Sequence, residues 1–223
     1  MATATLVFKF FGLAFSALLP LINPLGSALV FLGLVGPAPQ PVIRKLARQI
    51  AISTTLFLIV IELAGAAVLS FFGISLRVVQ VAGGLVLAAM GWKLLNQQES
   101  EPSKQREVPE DSYTPLEQKI FYPFTFPVTA GPGTILVMLT LAAHASVKGT
   151  LATTTAHLGI LLAVVILSLL VFLSYAYAPR ITQHISPQTA HGILRVIAFV
   201  LLCIGVQITW NGVEAMLKTA LRS

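Results

Sequence analysis

Long stretches without a single charge constrain this chain more than any other feature. No Asp, Glu, Lys or Arg occurs between Lys9 and Arg44, between Lys119 and Lys148, between Lys148 and Arg180, or between Arg195 and Glu214. A helix crosses a bilayer with about 20 mostly apolar residues, and these runs provide them. Charged residues are 10% of the chain, against about 25% in soluble domains. That is too little charge to cover a water-facing surface. The chain reads as an all-α integral membrane protein whose first partner is the lipid bilayer. Its net charge of +6 is dispersed at the ends of the apolar runs. Such placement suits residues flanking membrane spans, and no nucleic-acid partner is expected. Cys203, the one cysteine, excludes an intramolecular disulfide. The N-terminal apolar run is too long for a cleaved signal and lacks a small-x-small cleavage site.

Six spans can be drawn, near residues 6–34, 47–72, 78–95, 120–143, 151–178 and 193–217. Between the third and fourth lies NQQESEPSKQREVPEDSYTPLEQK, a mixed-charge stretch with three prolines and no apolar period. It reads as a flexible linker. The expected organisation is a first three-helix repeat (1–95), a hydrophilic linker (96–119) and a second three-helix repeat (120–223).

Two spans are interrupted. In LPLINPLGSALVFLGL (Leu19–Leu34) an Asn, two prolines and a glycine break an apolar run. Proline removes a backbone donor and glycine favours irregular backbone. Shifted by 107 positions, this stretch aligns with FPVTAGPGTILVMLTL (Phe126–Leu141), with six identities in sixteen positions, Pro20 on Pro127 and Gly26 on Gly133 among them; Ser27 meets Thr134. For spans three and six, offsets of 114 and 118 compete. Three spans per repeat is odd, so the second copy enters the membrane from the opposite side. Inverted repeats with broken helices in matching positions point to a transporter with a midplane site. Broken backbone at membrane depth is tolerated where it is buried or lines a cavity.

The candidate binding residues are therefore Asn23, Pro24, Gly26 and Ser27 at the first break and Thr129, Gly131, Gly133 and Thr134 at the second. Their amide, hydroxyl and freed backbone groups suit a zwitterion, with helix N-termini toward its carboxylate and carbonyls toward its ammonium. The same groups can instead cap their own broken helices. Glu62 is the one acidic residue deep inside a span. It reads either as a carrier of a coupling proton or sodium ion, or as a carboxyl near the interface or paired with a basic residue. Gln207, Asn211 and Glu214 share one helical face, lining an aqueous path or a polar exit. Gly84, Ala88 and Gly91 share a face of the third span and read as packing.

Enzyme signatures are lacking. His144, His157, His184 and His191 form no H-E-x-x-H pair, and there is no Walker loop or G-x-S-x-G elbow. Ser27 follows Gly26 in the wrong context for a hydrolase nucleophile. No metal, cofactor or catalytic residue is expected.

The segments INPLGSALVFL (Ile22–Leu32), RKLARQ (Arg44–Gln49), FFGISLRVVQVAGGLVLAAMGWKLL (Phe71–Leu95), PVTAGPGTI (Pro127–Ile135) and LRVIAFVLLCIGVQITWNGV (Leu194–Val213) occur in the order found in the MarC family of six-span bacterial inner-membrane proteins. The chain resembles that family over nearly its whole length, the linker and fifth span apart. The resemblance implies a transporter-like protein of the bacterial inner membrane, grouped with LysE-type exporters. Some relatives are assigned to transport of small neutral amino acids such as glycine and alanine. The family name suggests multidrug resistance, but the chain has no acidic drug-binding cluster.

The expected function is movement of a small polar solute by alternating access at a midplane site formed by the two breaks. The alternatives are export of another metabolite, or a membrane scaffold that transports nothing. Arg44, Lys45, Arg48, Lys93, Lys104, Arg106, Lys119, Arg180 and Arg195 fall on one side of the six-span drawing. Lys9, Arg77, Lys148, Lys218 and Arg222 fall on the other. The positive-inside rule then places both termini in the periplasm.

Overall fold

The computed structural model describes residues 2–36, 38–96, 116, 118–145, 149–180 and 187–221. Linker residues 97–115 and 117, and His184, lie outside the described residues. Among the described residues there is no strand. The helices are α1 (Ala2–Ile22), α2 (Pro24–Val35), α3 (Gln40–Phe71), α4 (Leu76–Leu95), α5 (Pro132–Ala145), α6 (Thr150–Ala176) and α7 (Pro187–Ala220), with an irregular π-type segment, Ile120–Thr129, before α5.

By length and composition, Thr3–Val35, Gln40–Gly65, Thr150–Ala176 and Ala198–Ala220 are able to cross a membrane. Ile120–Thr129 and Pro132–Ala145 make a fifth span if their 72° bend is counted within one crossing. The stretch expected as the third span forms α4, a helix of 20 residues. Its charged residues, Arg77 and Lys93, stand near its two ends.

The core is built from α1, α2, α3, α5 and α6. On α1, Phe10, Ala14, Leu18 and Ile22 recur every fourth residue and are buried, the stripe expected of one helical face. On α6, Ala156, Ile160, Ala163, Val164, Leu167 and Val171 are buried in the same way. Leu158, Leu162, Val165 and Leu169 on its other face are exposed, as suits a lipid-facing surface. Gln40 Nε2 donates to the Ala176 carbonyl at 2.7 Å, and Glu62 meets His157, so α3 and α6 run antiparallel. Gly159 packs on Val7 and Phe10, and Ser27, just past the end of α1, stands beside Tyr175 at the end of α6, so α1 runs parallel to α6.

Helices α4 and α7 pair with each other at the edge of this core. A Cβ placed on Gly84 would stand 2.6 Å from Thr209 N, and one on Gly91 the same distance from Leu202 N. One on Gly205 would stand 2.4 Å from Ala88 N. Lipid gives no hydrophobic drive to helix pairing, so close backbone approach through small residues supplies the attraction. The packing expected of Gly84, Ala88 and Gly91 is found here.

Candidate functional site

The first break is closed by its own residues. Asn23 adopts the left-handed conformation (φ 43°, ψ 67°) and Pro24 occupies the first position of α2. Asn tolerates this backbone better than other side-chain-bearing residues, and proline there gives up a donor that no helix would use. Asn23 N donates to Leu19 O at 2.9 Å, and Gly26 N donates to Asn23 Oδ1 at 3.1 Å. The Ser27 hydroxyl donates to Asn23 O at 2.9 Å. Asn23 is thus an N-cap, one of the two roles open from sequence.

This cap explains Gly26. A Cβ there would stand 2.1 Å from Asn23 Nδ2. Gly26→Ala should therefore expel the cap and cost about 1–2 kcal/mol. Gly33→Ala, where a Cβ meets nothing within 4 Å, should cost nothing. Thermal unfolding of the two variants in detergent checks the difference.

The second break is more open chemically. Tyr122 and Phe126, each before a proline, have extended backbone at φ −121° and ψ 123° and 126°, the bias that a following proline imposes. Past Ala130 the chain turns, and Gly131 O accepts from Thr134 N at 2.9 Å to start α5. Gly133 packs against Leu87 of α4 and Leu21 of α1. Met90 of α4 comes near Gly131. The hydroxyls of Thr125 and Thr134 are buried without a hydrogen-bond partner.

Tyr175, the penultimate residue of α6, joins the two breaks. Its hydroxyl lies 2.8 Å from Thr129 Oγ1, and the Ser27 side chain stands beside it. Thr129 Oγ1 donates its one proton to Phe124 O at 2.7 Å, so Tyr175 is the donor to Thr129. The Phe31 ring of α2 stacks on Tyr175 with centroids 4.7 Å apart and meets Phe124 edge-on at 5.6 Å. Ser27, Thr129 and Thr134 are at most 5% exposed, so the junction is closed. It sits toward the C-terminal end of α6, beside the first turns of α3 where Arg44, Lys45 and Arg48 stand exposed.

The remaining candidates lie elsewhere. Glu62 of α3 is ion-paired through Oε1 to His157 Nδ1 of α6, and its Oε2 has no partner. Gln207 Nε2 donates to Asn211 Oδ1 at 2.9 Å, both on the exposed face of α7. Glu214 pairs with Lys218. A cleft of about 310 Å³ between α4 and α5 reaches Pro132 beside the second break, lined by apolar residues and Gly83. Sequence reasoning missed Tyr175 and Thr125, and it placed His157 without its partner.

The family model for MarC family integral membrane proteins matches residues 8–217. This chain belongs to the MarC family. It is 29% identical over 216 residues to the UPF0056 inner membrane protein MarC of Escherichia coli K12, covering 96% of this chain and 98% of that relative. The MarC proteins of Escherichia coli O1:K1 and of strain SMS-3-5 match at the same identity, the latter over 219 residues. No solved structure matches. The MarC chain is a multi-pass inner-membrane protein, and its two breaks converge on one buried tyrosine.

Proposed function

We propose that this MarC-family chain moves a small polar solute, a neutral amino acid of glycine or alanine size, across the inner membrane by alternating access. The observation that carries the reading is the junction: Ser27 and Thr129, from two separate breaks, meet at the Tyr175 hydroxyl. Beside it the Thr125 and Thr134 hydroxyls stay buried and unpartnered. A polar group left unpaired in an apolar interior costs about 1–3 kcal/mol, a cost that a polar ligand would remove. The N-terminus of α5 at Gly131–Gly133 suits a carboxylate, and the hydroxyls and carbonyls suit an ammonium. Leu21 and Leu87, already against Gly133, crowd this end of the site against a large ligand side chain.

Two inverted three-helix repeats, 1–95 and 120–223, would supply the moving parts, with α4 and α7 as third and sixth spans. The pairings favour this: α2 packs on α6 as α5 packs on α3, and α1 packs on α6 as Ile120–Thr129 packs on α3. The contacts α3–α6 and α4–α7 join equivalent helices across the proposed axis. With the basic end of α3 in the cytoplasm, the junction would open toward that side and the termini would lie in the periplasm.

The self-capped first break favours a second reading, a scaffold whose breaks serve folding alone. Cysteine labelling separates the two. In a Cys203→Ala background, Ser27→Cys and Thr134→Cys should each react with a small water-soluble thiol reagent in reconstituted vesicles. One transported solute from an amino-acid panel should protect both. Inertness of both cysteines in folded protein, or protection of only one by every transported solute, would sink the shared-site transporter.

A further inference from the structure

Glu62 and His157 take no part in the junction. From His157 to Tyr175 the α6 helix rises about 27 Å, so the pair and the junction lie near opposite ends of one helix. The Glu62 side chain is wholly buried, while His157 remains 26% exposed. A lone carboxylate at such depth is costly. With an imidazole against it, one proton shared by the pair makes it neutral in either form, carboxylate with imidazolium or carboxylic acid with neutral imidazole. Imidazole is the side chain whose ordinary charge change falls between pH 5 and 8. Nδ1 faces Glu62, which leaves Nε2 as the ring's outer nitrogen.

The surroundings hold little else that titrates. On α3 the next charged residue is Arg48, fourteen positions back, and on α6 His157 stands alone until Tyr175. On α1, Lys9 is exposed. On α5, His144 is exposed and its Nδ1 is hydrogen-bonded with Thr140 O at 2.7 Å.

We propose that the Glu62–His157 pair is the proton-binding site that drives transport. It holds one proton while α3 and α6 are clasped and gives it to water through His157 when they part. This rests on the transport reading. The step is a bare proton transfer between water and imidazole and needs no other reactant. Because α6 carries His157 near its start and Tyr175 at its end, displacement of α6 against α3 acts on the clasp and the junction together.

The test needs no substrate. Val68→Cys on α3 and Leu151→Cys on α6 are exposed positions about 9 Å beyond the pair along their antiparallel helices, and in a Cys203→Ala background they take spin labels in lipid nanodiscs. Distance distributions at pH 5.5, 7.0 and 8.5 should show two populations whose ratio changes at least threefold. Glu62→Gln or His157→Gln should fix that ratio. Where a single variant fails to fold, the double Gln variant serves. A pH-invariant ratio in the labelled parent, or an unchanged pH response in the variants, overturns the proposal. A ratio that follows sodium concentration and ignores pH also overturns it, in favour of a sodium site. A pH response without uptake of any panel solute supports the proton site and counts against the transport reading instead.

Discussion

Gly205→Val is expected to leave no folded protein in detergent extracts of the membrane. A Cβ at this position would stand 2.4 Å from Ala88 N and 2.8 Å from Gly84 O. Overpacked side chains usually relax at a cost of about 1–3 kcal/mol, but here the obstacle is backbone. Helix α4 cannot withdraw to make room without also losing its contacts at Gly84, Gly91 and Gly212, each of which has α7 or α4 backbone within 3.0 Å of an added Cβ. The cost should therefore exceed that range. Gly12→Val, where a Cβ meets nothing within 4 Å, is the control and should extract normally. Size-exclusion profiles and thermal midpoints read the result. A monodisperse Gly205→Val protein melting beside the parent would show that α4 and α7 part more easily than this packing allows.

The second large effect is on the buried ion pair. His157→Leu should destabilise the protein by about 3–5 kcal/mol, because it strands a carboxylate in an apolar interior. Replacing both Glu62 and His157 by Leu removes the stranded charge and should restore most of that loss, since an apolar pair of similar volume often matches a buried ion pair. Thermal unfolding of the single and double variants in nanodiscs gives the cycle. Equal losses in both would assign the effect to packing, and the pair would then contribute no charge-dependent term.

The helices were legible because their determinants are local. Uncharged runs place the spans, and Pro24 and Gly131–Gly133 mark both breaks. The second expected span begins at residue 47, yet α3 begins at Gln40. Its basic first turns carry no hydropathy signal, and they continue the helix past the apolar stretch with Pro41 close to its start. The 72° bend at the second break was not legible, since Pro123 and Pro127 announce irregularity without giving its angle. Tyr175 sits in an apolar run, VFLSYAYAP, with nothing beside it to mark its hydroxyl. Its partner Thr129 is 46 residues away, and Glu62 and His157 are 95 apart. Pairings of that kind are decided by how helices pack, and a hydrophobic period cannot report them.

The glycine-lined contact between α4 and α7 also bears on how the protein is made. Helix α4 has Arg77 and Lys93 near its ends, and the backbone it leans on belongs to α7, far later in the chain. Roughly 110–135 residues separate their contact surfaces, which a ribosome takes about 6–27 s to synthesise. Through that interval α4 has emerged but its mate does not yet exist. It must wait as a guest of the insertion machinery or at the bilayer surface, with Gly84 and Gly91 uncovered. The packing of α4 is thus completed only by the synthesis of α7, and a chain cut short before Gly205 forfeits the contact of both helices.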